Sequence, residues 1–196
     1  MIKKLFLLLF VFTTLSYGQM FKFGEVKGLF MSVGVGPRMP LGDFANAHGI
    51  GSGLDMSLLY TDNIIVPVFI YGTIGYQHHP GKQDFYKGTD YSSISTNLYY
   101  GNLGVRHYFT PLVENVILLM PVIDGGVSVA FSETSHQYSI ESGRNNSSEN
   151  LVKLGGHIGA GFSMFLMDVM AYYNYFHNNQ FLSIDLRVNI PIFVSY

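Results

Sequence analysis

Seven histidines and a handful of aspartates and arginines are the residues of this chain whose types could do chemistry, and there is no cysteine. Without cysteine there are no disulfides, thiolate metal ligands or cysteine nucleophiles. His177-Asn178-Asn179 offers a base, and a base needs a nucleophile within hydrogen-bond reach. No serine neighbours His177 in sequence, so it reads as a loop or interfacial residue. His78-His79 and His136 fall in segments that read as neighbouring loops and could meet at a metal, since imidazole is a common ligand. Adjacent residues of an extended chain point to opposite sides, however, so solvated histidines and no metal are expected. Val33-Gly34-Val35-Gly36 lacks the following helix that would cradle a phosphate. No catalytic residue and no cofactor is read from these groups.

Five other charges differ in kind. Asp55, Arg106, Asp124, Asp185 and Arg187 each sit inside an alternating segment, on its polar side. The elements that position them read as strands. In the last segment Leu182, Ile184, Leu186, Val188, Ile190, Ile192 and Val194 alternate with Ser183, Asp185, Arg187, Asn189, Pro191, Phe193 and Ser195. That is the pattern of a strand between two unlike environments. Strands are expected near 27–37, 52–61, 64–76, 94–109, 116–132, 151–166, 169–177 and 181–196. An even count lets an antiparallel meander close and leave no edge unpaired. Short turns after the second, fourth and sixth strands contrast with long polar connections at 38–51, 77–93 and 133–150. This asymmetry belongs to outer-membrane barrels, with the long loops outside the cell. The loop 133–150, rich in Ser, Asn and charge, reads as a hydrated hairpin tip by default, with a partner-contacting surface as the other reading.

The composition agrees. Charged residues are 12% of the chain, against roughly 25% in ordinary soluble domains. A net charge of -2 gives no basic face for nucleic acid. Met1-Ile2-Lys3-Lys4, the apolar run from Leu5 to Phe12 and the small polar stretch to Gly18 have the three-part plan of a secretory signal peptide. Residues 1–18 are therefore expected to be cleaved and 19–196 to form the barrel.

The polar face tells which side is wet. It holds Ser32, Gly34, Gly36, Ser57, Thr73, Gly104, Gly126, Ser128, Gly155, Gly159, Gly161 and Ser163, and little Lys or Glu. Small residues suit the crowded interior of a small barrel, and Phe30, Tyr71, Met120, Phe176 and Phe193 would fill it. The five charges then form a structural network in the lumen, because unpaired charge there is costly. Arg106 and Asp124 are expected to pair across adjacent strands. Tyr60, Tyr76, His107, Phe109, Phe131, Tyr173, Tyr175 and Tyr196 would form interfacial girdles. Pro67, Pro121 and Pro191 map near the periplasmic rim, where water or a bulge relieves the missing donor.

The chain resembles the small eight-stranded outer-membrane barrels of the OmpA and OmpX type, and PorT-like barrel domains in particular. The resemblance rests on Val33-Gly34-Val35-Gly36 through Pro40-Leu41-Gly42-Asp43-Phe44, on Leu103-Gly104-Val105-Arg106-His107-Tyr108-Phe109, and on the final strand ending in Tyr196. It implies a Gram-negative cell outer membrane, contact with outer-membrane lipid, and Ile190, Ile192, Val194 and Tyr196 as the signal read by the insertion machinery. Lipid A deacylases on this fold carry a His followed two residues later by Ser; here Asn179 stands in that place. The function expected is a non-enzymatic outer-membrane barrel that acts through extracellular loops or as an accessory subunit of a larger outer-membrane protein complex. The alternatives are an outer-membrane lipid A hydrolase or acyltransferase, and a soluble exported lipocalin-like barrel with the Ile184/Leu186/Val188 face turned inward.

Overall fold

The computed structural model describes residues 27–62, 68–112 and 119–195. The signal peptide, Pro67 and Tyr196 lie outside them. Eight antiparallel strands form a closed barrel in chain order: β1 (Lys27–Leu41), β2 (Gly51–Thr61), β3 (Val68–Pro80), β4 (Tyr91–Tyr108), β5 (Leu119–Tyr138), β6 (Ser147–Met164), β7 (Met167–Phe176) and β8 (Gln180–Ser195). β8 pairs back onto β1, which closes the ring. Two short helices, α1 (Phe44–Ala47) and α2 (Gln83–Lys87), sit in the first two long connections.

Each strand separates two environments. β2 alternates strictly, with Leu54, Met56, Leu58 and Tyr60 outside and Asp55, Ser57 and Leu59 inside. Ile184, Leu186 and Val188 are 46%, 45% and 44% exposed, which overturns the inward-facing carrier alternative. Glycine is required where the inner wall is crowded: a Cβ at Gly36 would overlap the Ile184 carbonyl oxygen. On the outer wall a Cβ at Gly101 would meet nothing nearer than 3.8 Å. Tyr76, Tyr99 and Phe131 form an aromatic arc towards the outer end, with ring centroids 5.1 and 6.5 Å apart. Tyr60, His107 and Phe109 mark the other end, where the rings of His107 and Phe109 are 4.6 Å apart. These are the girdles of a barrel in a bilayer.

Three strands run longer than their alternation indicates. β5 has 20 residues, and β4 and β6 have 18 each. A bilayer needs about 9–11 tilted residues. The excess forms a three-stranded blade above the outer arc, so most of the supposed loop 133–150 is paired strand. Above the membrane both faces of a strand meet water, so the apolar–polar alternation disappears while the hydrogen-bonded ladder continues. β1 and β3 likewise extend to Leu41 and Pro80.

The final strand departs from its expected phase. Phe30 faces Pro191 and Leu29 faces Phe193, so Ile192 is an extra residue in a bulge. The bulge beside Pro191 turns Phe193 outward, at 57% exposure, rather than into the lumen. It also places Val194 opposite Gly28.

Candidate functional site

The lumen, the mouth and the blade are the three places where side chains converge. In the lumen the five charges noted above divide into two layers, and each layer recruits a charge from what read as a connection. Towards the periplasmic end Arg106 stands directly opposite Asp124 on β5. Its Nε donates to Asp124 Oδ2 at 2.8 Å, Nη1 to Asp168 Oδ2 at 3.2 Å, and Nη2 to the Tyr172 hydroxyl at 2.9 Å. Towards the outer end Arg38 Nη1 donates to Asp185 Oδ1 at 2.5 Å. Arg187 Nη2 lies 2.8 Å from Asp55 Oδ1, and its Nη1 donates to Ser57 Oγ at 3.2 Å. All six of Arg38, Asp55, Arg106, Asp124, Asp168 and Asp185 are buried, as is Arg187.

Arg38 and Asp168 were missed because both seemed to lie beyond strand ends. Their signal was continued alternation: Ser32, Gly34, Gly36, Arg38 on β1, and Asp168, Met170, Tyr172 on β7.

The lower layer also holds the residue types of a hydrolase. Ser128 Oγ is 3.0 Å from His157 Nδ1, and His157 Nε2 is 3.4 Å from Asp124 Oδ1 and 2.5 Å from the Tyr71 hydroxyl. Ser128, His157, Asp124 and Tyr71 are all buried. The cavity among the charges has a volume of about 20 Å3, room for about one water molecule. It is capped at the outer end by Leu98, Phe176 and Phe181 and at the other by Tyr108, Met120 and Val122. Each of these charges lies beside an opposite charge in the lumen.

The mouth carries a plug. α1 turns Phe44 inward, and the Phe44 ring lies 4.3 Å from the His48 ring and 4.8 Å from that of His79. Gly49 N–H donates to the Pro80 carbonyl at 2.8 Å and Lys82 N–H to Ala47 at 2.9 Å, zipping the first two connections together. His48 Nε2 is 2.8 Å from Thr96 Oγ1. Burial pushes His48 down to about 4, against the opposing pull of its bond to the Phe44 carbonyl.

The other histidines do not converge. His78 points outward, 2.8 Å from Asn97 Oδ1, while His79 on the strand beside it is buried in the mouth rather than solvated in a loop. His136 sits on the blade, 3.8 Å from Glu149. His177 is exposed at the β7–β8 turn, and among the described residues it hydrogen-bonds to no hydroxyl. The turn is held instead by Asn179, which accepts from Lys153 Nζ at 2.7 Å.

The blade presents aromatic and charged side chains above the mouth. Tyr91 and Tyr138 stack at 4.7 Å, and the Arg144 guanidinium lies 5.5 Å over the Tyr138 ring. Phe85 of α2 packs 5.4 Å from Tyr91.

Neither a family model nor a curated protein matches the chain. Solved structures do. Ail, the attachment invasion locus protein of Yersinia pestis, has 11% identity over 85% of this chain and 97% of its own, with a TM-score of 0.50. Neisserial surface protein A has 15% identity over 84% and 97%, with a TM-score of 0.49. The N-terminal barrel of Pseudomonas aeruginosa OprF has 13% identity over 85% and 100%, with a TM-score of 0.47. The fold held in common with Ail and the apolar outer wall decide the matter together. The chain has the fold of the small eight-stranded outer-membrane β-barrels. In such a barrel the long connections, and with them the plug and the blade, face the cell exterior.

Proposed function

We propose that the barrel is a non-enzymatic surface module: the membrane portion is a sealed anchor, and the blade is the part that binds. The observation that carries this reading is the contrast between the packed lumen and the one-sided extension of β4, β5 and β6. A pore would need an open path, and a lipid hydrolase would need an accessible nucleophile beside a base. The charges that could supply a polar path are held in ion-pair networks of three arginines and four aspartates. The exterior sheet of β4, β5 and β6 serves neither purpose, and it places aromatic and charged groups where another protein would meet them. A subunit of a larger outer-membrane assembly would use the same surface.

The test replaces residues 135–148 with a two-residue turn and compares particle size after extraction in mild detergent. The intact protein is expected in a particle larger than one barrel with its micelle, and the shortened one as a single folded barrel. A large particle that survives the replacement overturns the reading, as does intact protein that is always solitary and leaves no surface cross-link dependent on 135–148.

A further inference from the structure

Two polar side chains at the mouth have been left without polar company. Gln77 and His79 lie two residues apart on the inward face of β3, and both are fully buried. Among the described residues, neither amide atom of Gln77 and neither ring nitrogen of His79 has a hydrogen-bond partner. Buried polar groups are rarely left so, because they give up water and gain nothing in return. His48, the other buried imidazole of the mouth, has both ring nitrogens engaged, one by the Phe44 carbonyl and one by Thr96 Oγ1.

The space beside His79 is filled by a hydrocarbon ring that does not belong to the barrel wall. Phe44, on α1, meets the His79 ring in a T-shaped contact at 4.8 Å. His79 also faces the Phe181 ring, at 5.6 Å. On β4 the residues paired with His79 and Gln77 are Thr96 and Leu98. On β2 the wall gives way: a Cβ at Gly51 would come within 2.9 Å of His79 Nδ1, and one at Gly53 within 2.6 Å of Arg38 Nε. Leu98, Phe176 and Phe181 close the floor. An apolar slot with a few converging polar groups is the plan of a small-molecule site. Here a residue of the chain itself fills it, carried on a plug that the backbone bonds of Gly49 and Lys82 hold outside the continuous strand ladders.

We propose that this slot binds a small, neutral aromatic compound with hydrogen-bonding groups, and that Phe44 is its internal competitor. The ligand ring takes the place of the Phe44 ring when the plug swings out. Its polar groups supply what a phenyl ring cannot, partners for Gln77 and His79. An amide and a neutral imidazole each offer one donor side and one acceptor side, so the ligand carries both kinds of group. Neutrality follows from Arg38, which is already held by Asp185 and Asp55, so a charge brought in by the ligand would be buried unpaired. The site lies above the cap and apart from the blade. It therefore goes beyond the surface-module reading and leaves the lumen sealed.

The test places the barrel in lipid nanodiscs and adds N-acetyltryptophanamide, a neutral probe with an indole ring and two amides. The chain has no tryptophan, so the probe is the only indole in the sample, and empty nanodiscs give the baseline. Phe44→Ala removes the competitor and should tighten binding about tenfold, because the wild type offers the slot only while the plug is out. Adding Gln77→Leu, which keeps the volume and removes the polar atoms, should weaken that binding roughly fivefold. In the wild type, saturating probe should speed deuterium exchange at the Gly49 and Lys82 N–H groups, a readout that needs no variant to fold. Binding no stronger to any of these proteins than to empty nanodiscs, as for a slot that takes only water, overturns the proposal. So does binding that Gln77→Leu leaves unchanged, or exchange at Gly49 and Lys82 that the probe does not alter.

Discussion

The two faces of β4 belong to one strand and answer to different solvents. Inward, Arg106 is held by Asp124, Asp168 and Tyr172, with almost no surface left. Outward, the neighbouring positions Leu103 and Val105 are 67% and 54% exposed and meet only the membrane. The outer face has hydrocarbon for a solvent, so its demand is apolarity, not fit. The inner face has no solvent, so each group must be matched by another protein group in both volume and charge. Substitutions should therefore be costly inside and mild outside, even two residues apart.

The largest effect is expected at Arg106. Arg106→Ala strands two carboxylates, Asp124 and Asp168, in the dry lumen, and removing one partner of a buried pair costs about 3–5 kcal/mol. Urea unfolding in lipid bilayers should show that loss. Adding Asp124→Ala should cost less than the sum of the two single changes, because it removes one of the stranded charges. Additive costs would mean that the lower layer is not a network.

A smaller effect separates the two faces without touching any charge. Gly36→Ala forces a Cβ into the Ile184 carbonyl and should cost about 1–3 kcal/mol through overpacking. Gly101→Ala, with open space on the lipid side, should fall within about 0.5 kcal/mol of wild type. Equal costs in the same unfolding experiment would break the comparison between inner and outer walls.

The same comparison explains what the sequence could and could not disclose. Alternation reports a difference between the two sides of a strand. It is clear in β2 and β8, where one side is lipid and the other lumen, and the barrel, its closure and five of the seven lumen charges found among the described residues were legible from it. It vanishes in Glu133–Tyr138 and Ser147–Leu151, where both sides are wet, so the blade read as loop although its pairing is continuous. Arg38 and Asp168 were hidden at strand ends that lay further out than the polar residues around them suggested. The plug helix has four residues, too few for any periodicity to show. Ile192 could not be recognised as an extra residue, because a bulge keeps local composition and changes only phase. The blade was thus the least legible part, because neither of its faces is set against lipid or a packed lumen.

The mouth lies between these two regimes and should respond to pH. With the plug in place His48 is held neutral, its proton affinity pushed down to about 4 by burial. With the plug released it would titrate at its ordinary value near 6.5. The released form therefore binds the extra proton first, so acid favours release, beginning below pH 6.5 and complete by about pH 4. Across the first unit below pH 6.5 this amounts to about 1 kcal/mol of plug stability. The chain has no cysteine, so Asn46→Cys gives a single site on α1 for a nitroxide label. Its mobility should rise as the pH falls from 7 to 5, while the barrel stays folded. His48→Phe keeps a ring against Phe44, cannot take a proton, and should flatten the response. A label equally mobile at both pH values would place the plug with the rigid lumen; a response that persists in His48→Phe would assign the proton to another group at the mouth, of which His79, packed against the same Phe44 ring, is the nearest.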